Sequence, residues 1–215
     1  MKRLTYLLCC VATLGVMVSC YSTDSKQIAD SYLAIPDTLP KTFLVRLANG
    51  ALEQTKQEVT YDGSYYQIKY PGGDVPDSIG VCTDVVIRAY RKVGYDLQKL
   101  IHEDMKLAHA EYNKRRYSKK LDTNIDHRRT PNMETFFTRK GAKKPITEKE
   151  EDYQPGDLVF WDIAYGHVGV VVNIKVPGTN RYYMVHNICC GNQMEDFLFS
   201  AKIVGHYRWK PTNEK

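Results

Sequence analysis

Gly80–Gly94, GVCTDVVIRAYRKVG, decides how the rest of the chain is read. Val81, Val85, Val86, Ala89, Tyr90 and Val93 recur at three- and four-residue spacing, the mark of a helix with one apolar stripe, and Gly94 supplies a stop. Cys82 falls in the first turn. There the unpaired amide hydrogens and the positive end of the helix dipole favour a thiolate, which turns a sluggish thiol into a nucleophile. Taken alone, a cysteine ahead of an apolar helix also serves as a small core hydrophobe.

Two later segments supply what a nucleophile needs. QPGDLVFW (154–161) is a turn running into an apolar strand, and GHVGVVV (166–172) starts a second strand with His167. A third strand, Tyr182–Val185, ends in His186. A cysteine on a helix start, a histidine on a strand start and a polar residue on the next strand make a nucleophile, a base and a group that orients the base. Register chooses the third member, because side chains alternate faces. A hairpin centred between Val176 and Pro177 sets His167 opposite His186; a centre between Pro177 and Gly178 leaves His186 one diagonal step away on the same face; a centre on Pro177 brings Asn187 opposite instead. The expectation is His186.

The order and wording of these segments resemble the NlpC-type branch of the papain-like cysteine peptidases and amidases, bacterial enzymes that cut peptide bonds of the cell wall. GVCTDVVIRAYR, DTNIDHRR, PGDLVFW and GHYRW together resemble a family within it that is catalogued as a domain of unknown function, over roughly Tyr61–Trp209. The resemblance implies an α+β, papain-like NlpC-type fold, with N-terminal helices packed on an antiparallel β-sheet built from the strands after residue 157. It implies that Cys82 attacks an amide carbonyl in peptidoglycan stem peptides or another peptide, that His167 moves the proton, and that no metal or cofactor is needed; acyl transfer through the same thioester, with an amine in place of water, and a non-hydrolytic domain that binds wall fragments are the alternatives. It gives Tyr70, followed by a glycine pair and twelve residues before Cys82, the task of holding the oxyanion; an aromatic lid residue is the plainer reading. It also places a histidine at the position of His186.

The remainder of the chain fits an exported enzyme. Its 215 residues, 43% hydrophobic, suffice for one domain with short extras. MKR, the apolar run Leu4–Val18 and Val18-Ser19-Cys20 have the shape of a lipoprotein signal over 1–19, with Cys20 lipidated, a tether over 20–40 and the catalytic domain over 41–211. No aspartate follows Cys20, so the expected place is the bacterial outer membrane, facing the periplasm or exterior, through a lipid anchor. Losing Lys2 and Arg3 leaves 28 basic against 25 acidic residues, a balance too mild for nucleic acid. A monomer is expected. Beyond the signal and Cys20, Cys82, Cys189 and Cys190 remain, an odd number that leaves at least one thiol unpaired.

Thr42–Glu58 reads as a packing helix despite Gly50, Tyr65–Tyr70 as a short strand, Leu97 to about Tyr112 as a helix capped by Asp96, and Lys202–Trp209 as a closing strand. His102 and His109 stand two turns apart, too far to share a metal. Residues 113–144 carry eleven lysines and arginines, mostly a solvated face. Asp122, Asn124 and Asp126 imitate a calcium loop, but His127 and Met133 stand where glycine and glutamate are required. The resemblance marks Asp126, His127, Arg128 and Arg129 as a signature. Arg128 or Arg129 then grips a substrate carboxylate, or forms a structural ion pair with Asp126. Asp157 and His206 read as structural. Cys189-Cys190 is open to a vicinal disulfide, a bond to Cys82 or two idle thiols; idle thiols are the expectation.

Overall fold

The computed structural model describes residues 27–31, 42–112, 120–164 and 166–212. The signal, Cys20 and the tether lie outside the described residues except for a short helix at 27–31. The protein is α+β. Helices α1 (Phe43–Leu52), α2 (Cys82–Lys92), α3 (Leu97–Leu107) and α4 (Thr130–Arg139) precede a five-stranded antiparallel sheet. Its strands are β3 (Leu158–Trp161), β4 (His167–Lys175), β5 (Tyr182–His186), β6 (Gln193–Glu195) and β7 (Ile203–Tyr207), in the order β6-β5-β4-β3-β7. A small parallel pair, β1 (Thr60–Tyr61) with β2 (Ile79–Gly80), leads into α2.

The apolar stripe of α2 does what its spacing predicts. Val85, Val86, Ala89 and Tyr90 are buried with Leu47 and Ala51 of α1 against Val168, Val170 and Val172 of β4. Burial of each such side chain contributes about 1.5–3 kcal/mol, which anchors the first turn of α2 on the start of β4. Gly50 lets α1 approach, since a Cβ there would stand 3.0 Å from Lys92 Cβ and 3.2 Å from the Ala89 carbonyl oxygen. Gln54 locks the two helices by donating from Nε2 to the carbonyls of Gly50 (3.0 Å) and Val85 (2.9 Å). The opposite sheet face carries a smaller cluster of Trp161, Val171, Met184 and Leu198.

Several local expectations give way. Tyr65–Tyr70 alternates like a strand but joins no ladder. Its backbone is held by side chains instead: Ile68 N–H donates to Asn124 Oδ1 at 2.9 Å, and Gln98 Nε2 donates to the Lys69 carbonyl at 2.9 Å. The helix from Leu97 stops at Leu107, capped at its start by Asp96, and a separate turn spans His109–Tyr112. Helix α4, with Pro131 in its first turn, and strand β6 complete the fold beyond the sequence reading. Among the described residues no helix is long and apolar enough to cross a membrane.

Candidate active site

Cys82 is the first residue of α2, and 6% of it is exposed. The backbone N–H groups of Val168, Thr83 and Cys82 itself lie beside its sulfur and favour the thiolate. Val168 follows His167, so α2 delivers the sulfur to the first peptides of β4. Burial nevertheless pushes the thiol up to about 11, and the nearby Asp84 charge adds to the effect. The expectation of a thiolate at the helix start is therefore reversed: the amide hydrogens and dipole are present, but desolvation of the charged form outweighs them.

His167 and His186 meet. His167 Nε2 lies 2.9 Å from His186 Nδ1. Val170 pairs with Val185 and Val171 with Met184, a register centred between Pro177 and Gly178, so His186 sits opposite Gly169 and one diagonal step from His167. Gly169 makes room for this crossing, because a Cβ there would stand 3.1 Å from His186 Cβ and 3.3 Å from Trp161 Cη2. Trp161 and Phe197 wall the pair. The rings thus start from the Trp161 side of β4, while Cys82 lies in the cluster on the helix side. Burial, with His186 alongside, lowers His167 to about 3, so the Cys82 thiol and the His167 imidazole each rest neutral.

Asn187, the other contender, is fully buried and donates from Nδ2 to the Gly80 carbonyl at 3.2 Å. It ties the end of β5 to the strand that leads into α2. Asp157 and His206 are structural as expected. Asp157 accepts from His206 Nε2 at 2.8 Å and from Arg208 Nε at 2.6 Å, and His206 Nδ1 faces the Pro145 carbonyl at 2.9 Å.

The other expected site residues fare unevenly. Tyr70 packs its ring on His102 of α3, 5.0 Å between centroids, and does not line the pocket at Cys82. Tyr61 does. With Gly63, Ile125, Arg129, Pro131 and Gly166 it surrounds a cleft of about 260 Å³ that opens on Cys82. Burial, then the neighbouring Cys82, raises the Tyr61 hydroxyl above its ordinary value. Tyr61 carries no glycine pair to mark it in the sequence, since Asp62-Gly63 follows it.

Arg128 borders the cleft too, but its guanidinium is engaged within the protein. Its fork closes on Asp84, Nε to Oδ1 at 2.9 Å and Nη2 to Oδ2 at 2.8 Å, with both side chains buried. Asp84 Oδ2 also accepts the Val81 N–H at 2.8 Å, so the pair fastens the start of α2. The ion pair exists, but its partner is Asp84 rather than Asp126, whose Oδ2 accepts the Asp122 N–H at 2.6 Å. Arg129 is partly exposed and borders the cleft. Cys189 and Cys190 form a vicinal disulfide and are not idle thiols, leaving Cys82 as the free cysteine among the described residues. Among those residues no cluster of three His, Cys, Asp or Glu side chains could hold a metal ion.

Comparison with known proteins assigns the family. The profile described as a domain of unknown function (DUF1287) matches residues 48–209. The chain belongs to the DUF1287 family. It is similar to the protein named "Uncharacterized protein YijF" from Escherichia coli (strain K12), 48% identical over 166 residues, which are 76% of this chain and 80% of that protein. No solved structure matches the chain significantly. The matched span contains Cys82, His167 and His186, so the helix, the two strands and the cleft all belong to the DUF1287 domain.

Proposed function

We propose that this DUF1287 protein is an exported thiol hydrolase that cleaves an amide bond, in peptidoglycan stem peptides, through Cys82, His167 and His186. The observation that carries the reading is the 2.9 Å contact between His167 and His186 at the strand start to which Cys82 is fastened. The motif likeness to NlpC-type, papain-like peptidases supports it. Because thiol and imidazole rest neutral, the proton leaves sulfur as the sulfur attacks, in a general-base step. His167 Nδ1, the nitrogen not engaged by His186, receives it and returns it to the leaving amine. The amine departs, a thioester remains on Cys82, and water, deprotonated by the same imidazole, releases the acid. The Cys82 amide and the Tyr61 hydroxyl face the developing oxyanion. Arg129 at the cleft rim takes a substrate carboxylate, while Arg128 holds the helix.

The export reading accompanies this function: Cys20 carries lipid and the domain faces the wall from the outer membrane. Cys20→Ser should leave the chain unprocessed and block lipid labelling, and unchanged labelling would refute the anchor.

The burial and raised pKa of the thiol favour a second reading, a domain that binds wall fragments without cutting them. Digestion of peptidoglycan with the purified protein separates the two. Mass analysis should find fragments with a new amine terminus, absent with Cys82→Ala. Fragments that bind and elute intact would support the binder.

A further inference from the structure

We propose that Glu195 is a positioning residue that sets the tautomer of the His167–His186 pair. Its effect on turnover rests on the hydrolase reading, whereas the tautomer itself does not. The geometry is a zigzag across three strands. His186 is one diagonal step from His167, and pairing of Met184 with Glu195 and of His186 with Gln193 puts Glu195 one diagonal step from His186. Glu195 Oε2 stands 3.0 Å from His186 Nε2. The oxygen lies off the N–H line, since this nitrogen makes no aligned hydrogen bond, so the carboxylate acts mainly through its charge.

Neutral imidazoles 2.9 Å apart have two arrangements. If His186 Nδ1 carries the hydrogen, its Nε2 turns a lone pair toward a carboxylate oxygen, and His167 is left with its hydrogen on Nδ1, unable to accept a thiol proton. If His186 carries it on Nε2, the contact with Glu195 is attractive and Nδ1 accepts from His167 Nε2–H. His167 Nδ1 is then bare. Glu195 thus selects the form in which His167 is a base, and its charge favours the imidazolium that follows. The titratable groups facing His186 are His167 from β4 and Glu195 from β6, while Trp161 from β3 and Phe197 are uncharged walls. In the sequence Glu195 is one acidic residue in a polar stretch, and only the pairing of β6 with β5 brings it to His186.

Histidine nitrogen NMR on the full chain, as wild type, Glu195→Ala and Glu195→Gln, tests this. In the wild type His186 should carry its hydrogen on Nε2. Glu195→Ala should populate both tautomers and lower kcat about tenfold with KM unchanged, and Glu195→Gln, which keeps the size but loses the charge, should do the same. An unchanged tautomer in Glu195→Ala, or a hydrogen on Nδ1 in the wild type, would overturn the proposal. If the tautomer shifts as expected but the wild type cleaves no wall peptide, the assignment of Glu195 stands and the hydrolase reading falls.

Discussion

The sheet buries two histidine clusters of opposite character. At one, Asp157 takes hydrogen bonds from the Gln154 N–H, His206 and both arms of Arg208, and both His206 nitrogens face oxygen acceptors. At the other, His167 and His186 hold each other between Trp161 and Phe197, with no buried carboxylate fork. The first is saturated and locks β3, β7 and the turn before β3 together. The second keeps proton-accepting capacity in reserve. A polar cluster whose every atom is engaged builds structure; one with a nitrogen left over can move a proton.

The contrast predicts opposite phenotypes. Cys82→Ala should cut turnover a thousandfold or more and leave the melting temperature within a few degrees. Residual turnover within tenfold of wild type would break the contrast at its root. Asp157→Asn should do the reverse, losing about 3–5 kcal/mol because it strands the buried His206 and Arg208 partners, with kcat intact in whatever fraction folds. A stable but inactive Asp157→Asn would place chemistry in the wrong cluster. His186→Ala should lower kcat by a factor of roughly ten to a thousand, while Asn187→Ala should act on stability through its lost bond to Gly80, as turnover assays and urea titration would show.

Acid and base sharpen the picture. His167 and His127 are both held at about 3, below their ordinary 6.5, chiefly by burial. The unfolded chain therefore binds protons that the folded one refuses, and stability should fall as pH drops from 6.5 toward 3. Cys82, raised from 9.0 to about 11, works from the other side, and stability should fall as pH rises from 9.0 toward 11. Between these windows neither Cys82 nor His167 titrates, so on the hydrolase proposal kcat/KM should be flat from about pH 7 to 9. A bell centred there would mean a preformed thiolate and imidazolium. Gly169→Ala brings the smallest expected change, a few-fold loss in kcat as His186 is pushed aside by a few tenths of an ångström.

Much of this was legible in the sequence. The stripe of α2 placed Cys82 because three- and four-residue spacing survives burial unchanged, and strand alternation narrowed the third member to His186 or Asn187. What failed depended on distant partners. Tyr65–Tyr70 alternates, but Asn124 and Gln98 satisfy its backbone before another strand can. Arg128 found Asp84, 44 positions away, rather than Asp126 two positions away, because the fork closes in the buried space behind α2. The neutral thiol is hidden for the same reason: a helix start announces its dipole in sequence, whereas desolvation is known only once the sheet covers the sulfur.

The most direct test is to trap the intermediate. Wall peptides mixed with the full chain and quenched in acid should leave the acyl half of the substrate on the peptide containing Cys82, removable by hydroxylamine as a thioester is. Peptide-bond cleavage with no mass added at Cys82, or with the addition elsewhere, would contradict the account.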